Sequence, residues 1–76
     1  MKKETIEYRS PLDALVTIIR RLSHYESQHN LTSEIFFERY QQGQCSDDAV
    51  FVEWANDYRH YLAIRSELEK RLEYAA

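Results

Sequence analysis

One glycine, one proline and one cysteine are all that the 76-residue chain contains of these three types. The first two scarcities leave room for very few turns that require special backbone angles. The lone Cys45 excludes an internal disulfide, and no group of cysteines and histidines has the spacing of a structural zinc site. No apolar run approaches the ~20 residues of a membrane span. Nor does one follow the basic Met1-Lys2-Lys3 start at the length a signal peptide needs, so a soluble, reducing, cytoplasmic setting is the expectation. Excess positive charge is missing too. Ten basic side chains stand against thirteen acidic ones, which is the wrong balance for general nucleic-acid binding. A chain this short buries only about 60% of its unfolded surface. With no staple available, its stability must come from packing, shared or not with another chain.

What the chain has is helical periodicity and ten aromatic side chains. The expected fold is all-α, with three helices at about 11–28, 33–42 and 47–74, forming a single helical domain over 10–76 behind a short arm or strand at 1–9. The first helix is signalled by Ser10 as cap, Pro11 in the first turn and Asp13 at the positive end of the dipole. Its apolar stripe is read as Leu12, Leu15, Val16, Ile19 and Leu22, with Ile18 and Tyr25 flanking it and Arg20, Arg21 and Ser23 facing water. Thr32 caps the second helix, with Leu31 placed to staple onto Phe36. Gly43 suits a left-handed stop. Ser46-Asp47-Asp48 opens the third helix, whose stripe runs through Phe51, Trp54, Tyr58, Tyr61, Arg65, Leu68 and Leu72, with Ala55 and Leu62 beside it. Its length, ~40 Å, exceeds that of the first helix by more than ~10 Å. An antiparallel pair of these two must therefore leave an uncovered end.

The residues that bear chemistry do not assemble into a catalytic or metal-binding pattern. His24 and His29 lie five apart and do not share a helix face, and Asp57 with His60 has no facing carboxylates to complete a site. Cys45 stands ahead of a helix N-terminus, but Asp47 and Asp48 oppose thiolate formation and no activating base is in sequence reach. No catalytic residue, metal ligand or cofactor is therefore expected, and an enzyme is not. The pairs Glu34/Glu38 and Glu53/Asp57, at i, i+4, place like charges on successive turns on both sides of Asp47-Asp48, where a basic protein surface would find complementary potential. Tyrosine is abundant, and tyrosine suits surfaces that are partly dry and partly wet. Trp54, Phe51 and Phe36 are expected to fill the helix junction, whereas Tyr25, Phe37 and Tyr61 point to an interface.

The run Ser33-Glu34-Ile35-Phe36-Phe37-Glu38-Arg39-Tyr40-Gln41-Gln42-Gly43, followed by Asp47-Asp48, Phe51, Glu53-Trp54 and Tyr58, resembles a group of very short prokaryotic antitoxin-like proteins encoded beside a small toxin. The resemblance covers about residues 32 to 62. It implies a protein-binding role in which Phe37, Asp48, Glu53 and Trp54 occupy shared positions. Joined to the acidic Asp47 and the tyrosines of the third helix, the expected protein-binding set is Phe37, Asp47, Asp48, Glu53, Trp54, Tyr58 and Tyr61. The expected partner is a cognate, toxin-like protein, bound through the third helix and the acidic loop before it. A homodimer built on paired third helices is the rival expectation. A nucleic-acid binder using Lys2, Lys3, Arg9, Arg20 and Arg21 is a weaker one, and no basic recognition helix of the helix-turn-helix type is present.

Overall fold

A computed structural model describes residues 10–75 and shows three helices: α1 (Pro11–His29), α2 (Ser33–Gln41) and α3 (Ala49–Ala75). No strand occurs among the described residues, so the all-α expectation holds; the arm or strand expected at 1–9 lies outside them. Each boundary has a local cause. Ser10 is extended and its Oγ accepts from the Asp13 amide at 3.3 Å, with Pro11 opening the helix. This satisfies a donor that the helix itself leaves unpaired. α1 stops at Asn30, held left-handed at φ 51°, and the amide of Leu31 returns to the Glu26 carbonyl. Asparagine is one of the few side-chain-bearing residues that adopt this conformation readily. Thr32 caps α2 by accepting from the Ile35 amide at 3.3 Å, and Leu31 packs against the cluster that contains Phe36, as a staple requires.

Gly43 ends the α2 segment at φ 74°, while the Gln44 amide reaches back to the Arg39 carbonyl at 3.0 Å. α3 begins later than the capping residues suggested. Its first turn is closed by the Asp48 carbonyl, which accepts from Phe51 and Val52 at 3.0 and 3.2 Å, so Ser46 and Asp47 stand outside the helix.

α1 and α3 run antiparallel: Arg21 meets Asp57, Tyr25 stacks on Trp54, and His29 lies against Phe51 and Trp54. α2 crosses the first half of α3 through Phe36 and Phe37. The core is the junction of all three helices: Ile18, Leu22, Phe36, Trp54 and Ala55. Trp54 is 0% exposed and lies flat on Phe36, with ring centroids 3.8 Å apart. Two such rings supply a large share of the apolar burial available to a small chain.

The apolar stripe expected on α1 is corrected. Leu22 is buried as expected and Leu15 is half-buried, but the other buried residues are Ala14 and the flanking Ile18, whereas Leu12, Val16 and Ile19 are 61, 49 and 46% exposed. The helix is turned by about one residue step, ~100°. Its apolar arc is wide enough to contain two stripes, and the one turned inward carries Ala14, whose small side chain lies beside Ile64 of α3. Arg21, expected to face water, is drawn to Asp57. At the other end of the bundle α3 outruns α1, leaving Leu72 69% exposed.

Candidate protein-binding groove

The junction that builds the core also builds a groove. Glu26, in the last turns of α1, extends a carboxylate oxygen to the Ser33 amide at 2.7 Å and so ties the start of α2 to α1. Ser33 is itself buried, and its hydroxyl accepts from the Trp54 indole N–H at 2.9 Å. Glu26, Ser33 and Trp54 thus connect all three helices through directional bonds. The next residue, Glu34, stands on the rim.

Opposite it, α3 presents Tyr58, Tyr61 and Arg65, while Ile19, Leu22 and Ser23 of α1 close the third side of a groove of about 460 Å³. Phe37 backs the aromatic wall, 5.1 Å from the Tyr58 ring, and Tyr58 and Tyr61 stack at 5.7 Å. Arg65 lies over the Tyr61 ring at 5.6 Å and reaches Glu69 at 3.9 Å. Burial pushes the Tyr58 phenol above its ordinary pKa, and the negative charge of Glu34, with smaller help from Tyr61 and Glu26, adds to the shift against the opposing effect of Arg65. The same field would favour a cation brought to this wall. Among the described residues the ion pairs are Arg21–Asp57 and Arg65–Glu69, so neither Glu26 nor Glu34 is paired with a cation.

A second charged arrangement lies on the other side of α3. Asp57 is 8% exposed and accepts from Arg21 Nε at 2.9 Å and from the Tyr25 hydroxyl at 3.2 Å. A carboxylate this buried requires such partners. The sequence grouped Asp57 with Glu53 as an exposed acidic pair; the structure gives it to the α1–α3 contact instead. Burial acts to lower the Arg21 pKa, yet the hydrogen bond and charge of Asp57 carry it above the ordinary value. Burial raises the Tyr25 phenol. Arg21 is thereby removed from the set of free cations that a nucleic-acid surface would need, and Lys2, Lys3 and Arg9 lie outside the described residues.

Of the seven residues expected to bind protein, Phe37, Tyr58 and Tyr61 come together at the groove. Asp47 and Asp48 are exposed in the turn before α3, and Glu53 is exposed on its first half; none of the three lines the groove. Trp54 is wholly interior and presents no atoms to a partner in this fold. The sequence does not single out Glu26, and it points to Ser33 and Ile19 only as part of a residue pattern and of an apolar stripe, not of a site. One signal existed for Glu26, because a carboxylate near a helix C-terminus faces the negative end of the dipole and needs a compensating role.

Cys45 is a free, half-buried thiol packed beside the core, and His29 is an exposed histidine whose ring stacks on Trp54 at 5.3 Å. Among the described residues, no group of three or more histidine, cysteine or acidic residues could hold a metal ion, and no helix is long and apolar enough to cross a membrane. Compared with known proteins, the chain matches no family model, no curated protein and no solved structure.

Proposed function

We propose that the chain is a cytoplasmic protein-binding module of a prokaryote that neutralises a cognate, toxin-like protein in the manner of an antitoxin. The observation that carries the binding part is the groove itself: stacked Tyr58 and Tyr61, an apolar lip at Ile19, and the carboxylates of Glu26 and Glu34 on surfaces contributed by all three helices. Aromatic rings beside polar groups, held by a rigid junction, make a surface that binds at low entropic cost. The antitoxin part rests on the residue pattern over 32–62. Co-expression with the product of the adjacent reading frame, followed by affinity capture through a tag on this chain, tests both parts. A stable complex and restored growth are expected. A partner that neither binds nor loses its toxicity refutes the reading.

A homodimer is the second reading, and it is favoured by the exposed strip of Leu12, Val16 and Ile19 on α1. Paired third helices, the arrangement expected from sequence, would instead cover Leu72. Sedimentation at micromolar concentration separates dimer from monomer. Loss of the dimer in Val16→Ser would place it on α1, and loss in Leu72→Ser would place it on α3.

A further inference from the structure

We propose that the groove takes an arginine or lysine side chain from a partner protein, with an apolar residue of the same segment resting on Ile19 and Val16. This rests on the protein-binding part of the reading above and names the chemistry of what is bound.

Four observations converge. Two carboxylates, Glu26 and Glu34, edge the groove with no cation paired to either among the described residues. At the Tyr58 hydroxyl the negative charge of Glu34 outweighs the opposing charge of Arg65, so this end of the aromatic wall favours an added cation. The wall already holds a cation over one of its rings: Arg65 sits above Tyr61, a contact of the kind an incoming guanidinium would make after displacing Arg65 or on the Tyr58 side. Beyond the lip, exposed Ile19 continues into Val16 along α1, so the surface alternates from charged and aromatic to apolar. A planar guanidinium stacked on tyrosine and bonded to a carboxylate uses both features at once. Asp47 and Asp48 offer negative charge but do not line the groove.

The mechanism has an internal competitor. Arg65 lines the same groove and neutralises part of its charge. Opposite effects therefore follow from two substitutions in one site, which a merely structural role would not produce.

The test is an amide-resolved NMR titration of the full chain with an acetylated, amidated heptapeptide alternating leucine and arginine, and with its glutamine-for-arginine counterpart. Shifts are expected to concentrate at Ile19, Glu34, Tyr58 and Tyr61, with the glutamine peptide about tenfold weaker. Glu34→Gln should weaken the arginine peptide about fivefold and Arg65→Gln should strengthen it by a similar factor, helicity being checked by circular dichroism. Equal affinity for both peptides, shifts centred on Asp47 and Asp48, no shifts at millimolar peptide, or weaker binding by Arg65→Gln would each overturn the proposal. So would concentration-dependent shifts at Val16 and Ile19 without peptide, which would assign the strip to a second copy. Capture of the adjacent gene's product by a chain whose groove ignores the peptide refutes the groove assignment alone. Groove binding of the peptide without that capture refutes the toxin reading alone.

Discussion

The indole of Trp54 is placed to report how the junction is held, through a double-substitution cycle with Ser33. Its N–H donates to the Ser33 hydroxyl at 2.9 Å, and both residues are shut away from water at 0% and 3% exposure. Ser33→Ala removes the acceptor and leaves the N–H buried and unpaired, at a cost of about 1–3 kcal/mol. Trp54→Phe deletes the donor and part of the ring that stacks on Phe36, adding the loss of packing to the loss of the bond. In the double variant no indole N–H remains to be stranded, so the serine change costs close to nothing beyond its methylene environment. A coupling of roughly 1–2 kcal/mol follows. Total stability for a chain of this length is roughly 4–11 kcal/mol, so every member of the cycle remains measurable. Urea unfolding followed by far-ultraviolet circular dichroism is the assay, because tryptophan fluorescence is lost in two of the four proteins. Each kcal/mol also moves the melting temperature by about 4–8 °C in a domain this size. Costs that add to within ~0.5 kcal/mol would refute the reasoning, since they would mean that the indole finds water in the folded state.

Three further outcomes follow from the same structure. Arg21→Met leaves the Asp57 carboxylate with Tyr25 alone; because the Arg21 side chain is 52% exposed, the loss is expected at about 1–2 kcal/mol, below the 3–5 of a fully buried pair. A shifted urea midpoint at constant slope would show it, and no shift would contradict it. Gly43→Ala is expected to cost about 1 kcal/mol by backbone strain, since φ is +74° while an added Cβ meets nothing within 4 Å; Gly43→Asn should cost less, and equal values would point to a clash. Tyr25 and Tyr58 have phenols raised by burial above the ordinary value of about 10. The unfolded chain then releases these protons first as pH rises, so their contribution to stability is complete below about pH 10 and disappears above it. Tyrosinate absorbance rising together with loss of helicity is the expected record.

The helix ends were legible in the sequence because capping is local: Ser10-Pro11, Thr32 and Gly43 act on groups within four residues of themselves. The face that α1 turns inward was not legible from α1. Leu12, Val16 and Ile19 are as apolar as Ala14, Ile18 and Leu22, and the choice between the two stripes is made by Tyr25, Asp57 and Trp54 meeting across thirty residues of chain. The third helix betrays a similar limit. Asp57 looks like a solvated acid beside Glu53, and only its encounter with Arg21 makes it interior. Of the site, the tyrosines could be singled out by their abundance, whereas the carboxylates at the rim depend on how the end of α1 meets the start of α2.

That meeting also explains why so small a core can support a defined surface. Glu26 lies in the last turns of α1, where the helix dipole disfavours a negative charge, and the Ser33 amide at the start of α2 offers the compensation, because a helix N-terminus leaves its first donors unpaired. Ser33 in turn accepts from Trp54, so each bond that fixes a rim residue has its other end in the junction. The groove cannot loosen without disturbing the indole, and the indole cannot shift without releasing α2. A protein of 76 residues with one cysteine has no covalent staple; here two directional bonds through Ser33 and a stacked pair of rings hold the helices in register. The same economy leaves the outer stripe of α1 and the end of α3 uncovered, because the rings that form the junction can occupy only one place. The apolar surface beyond it is thereby left adjacent to the negative groove, and a segment carrying one cation and one apolar side chain can engage both at a single site.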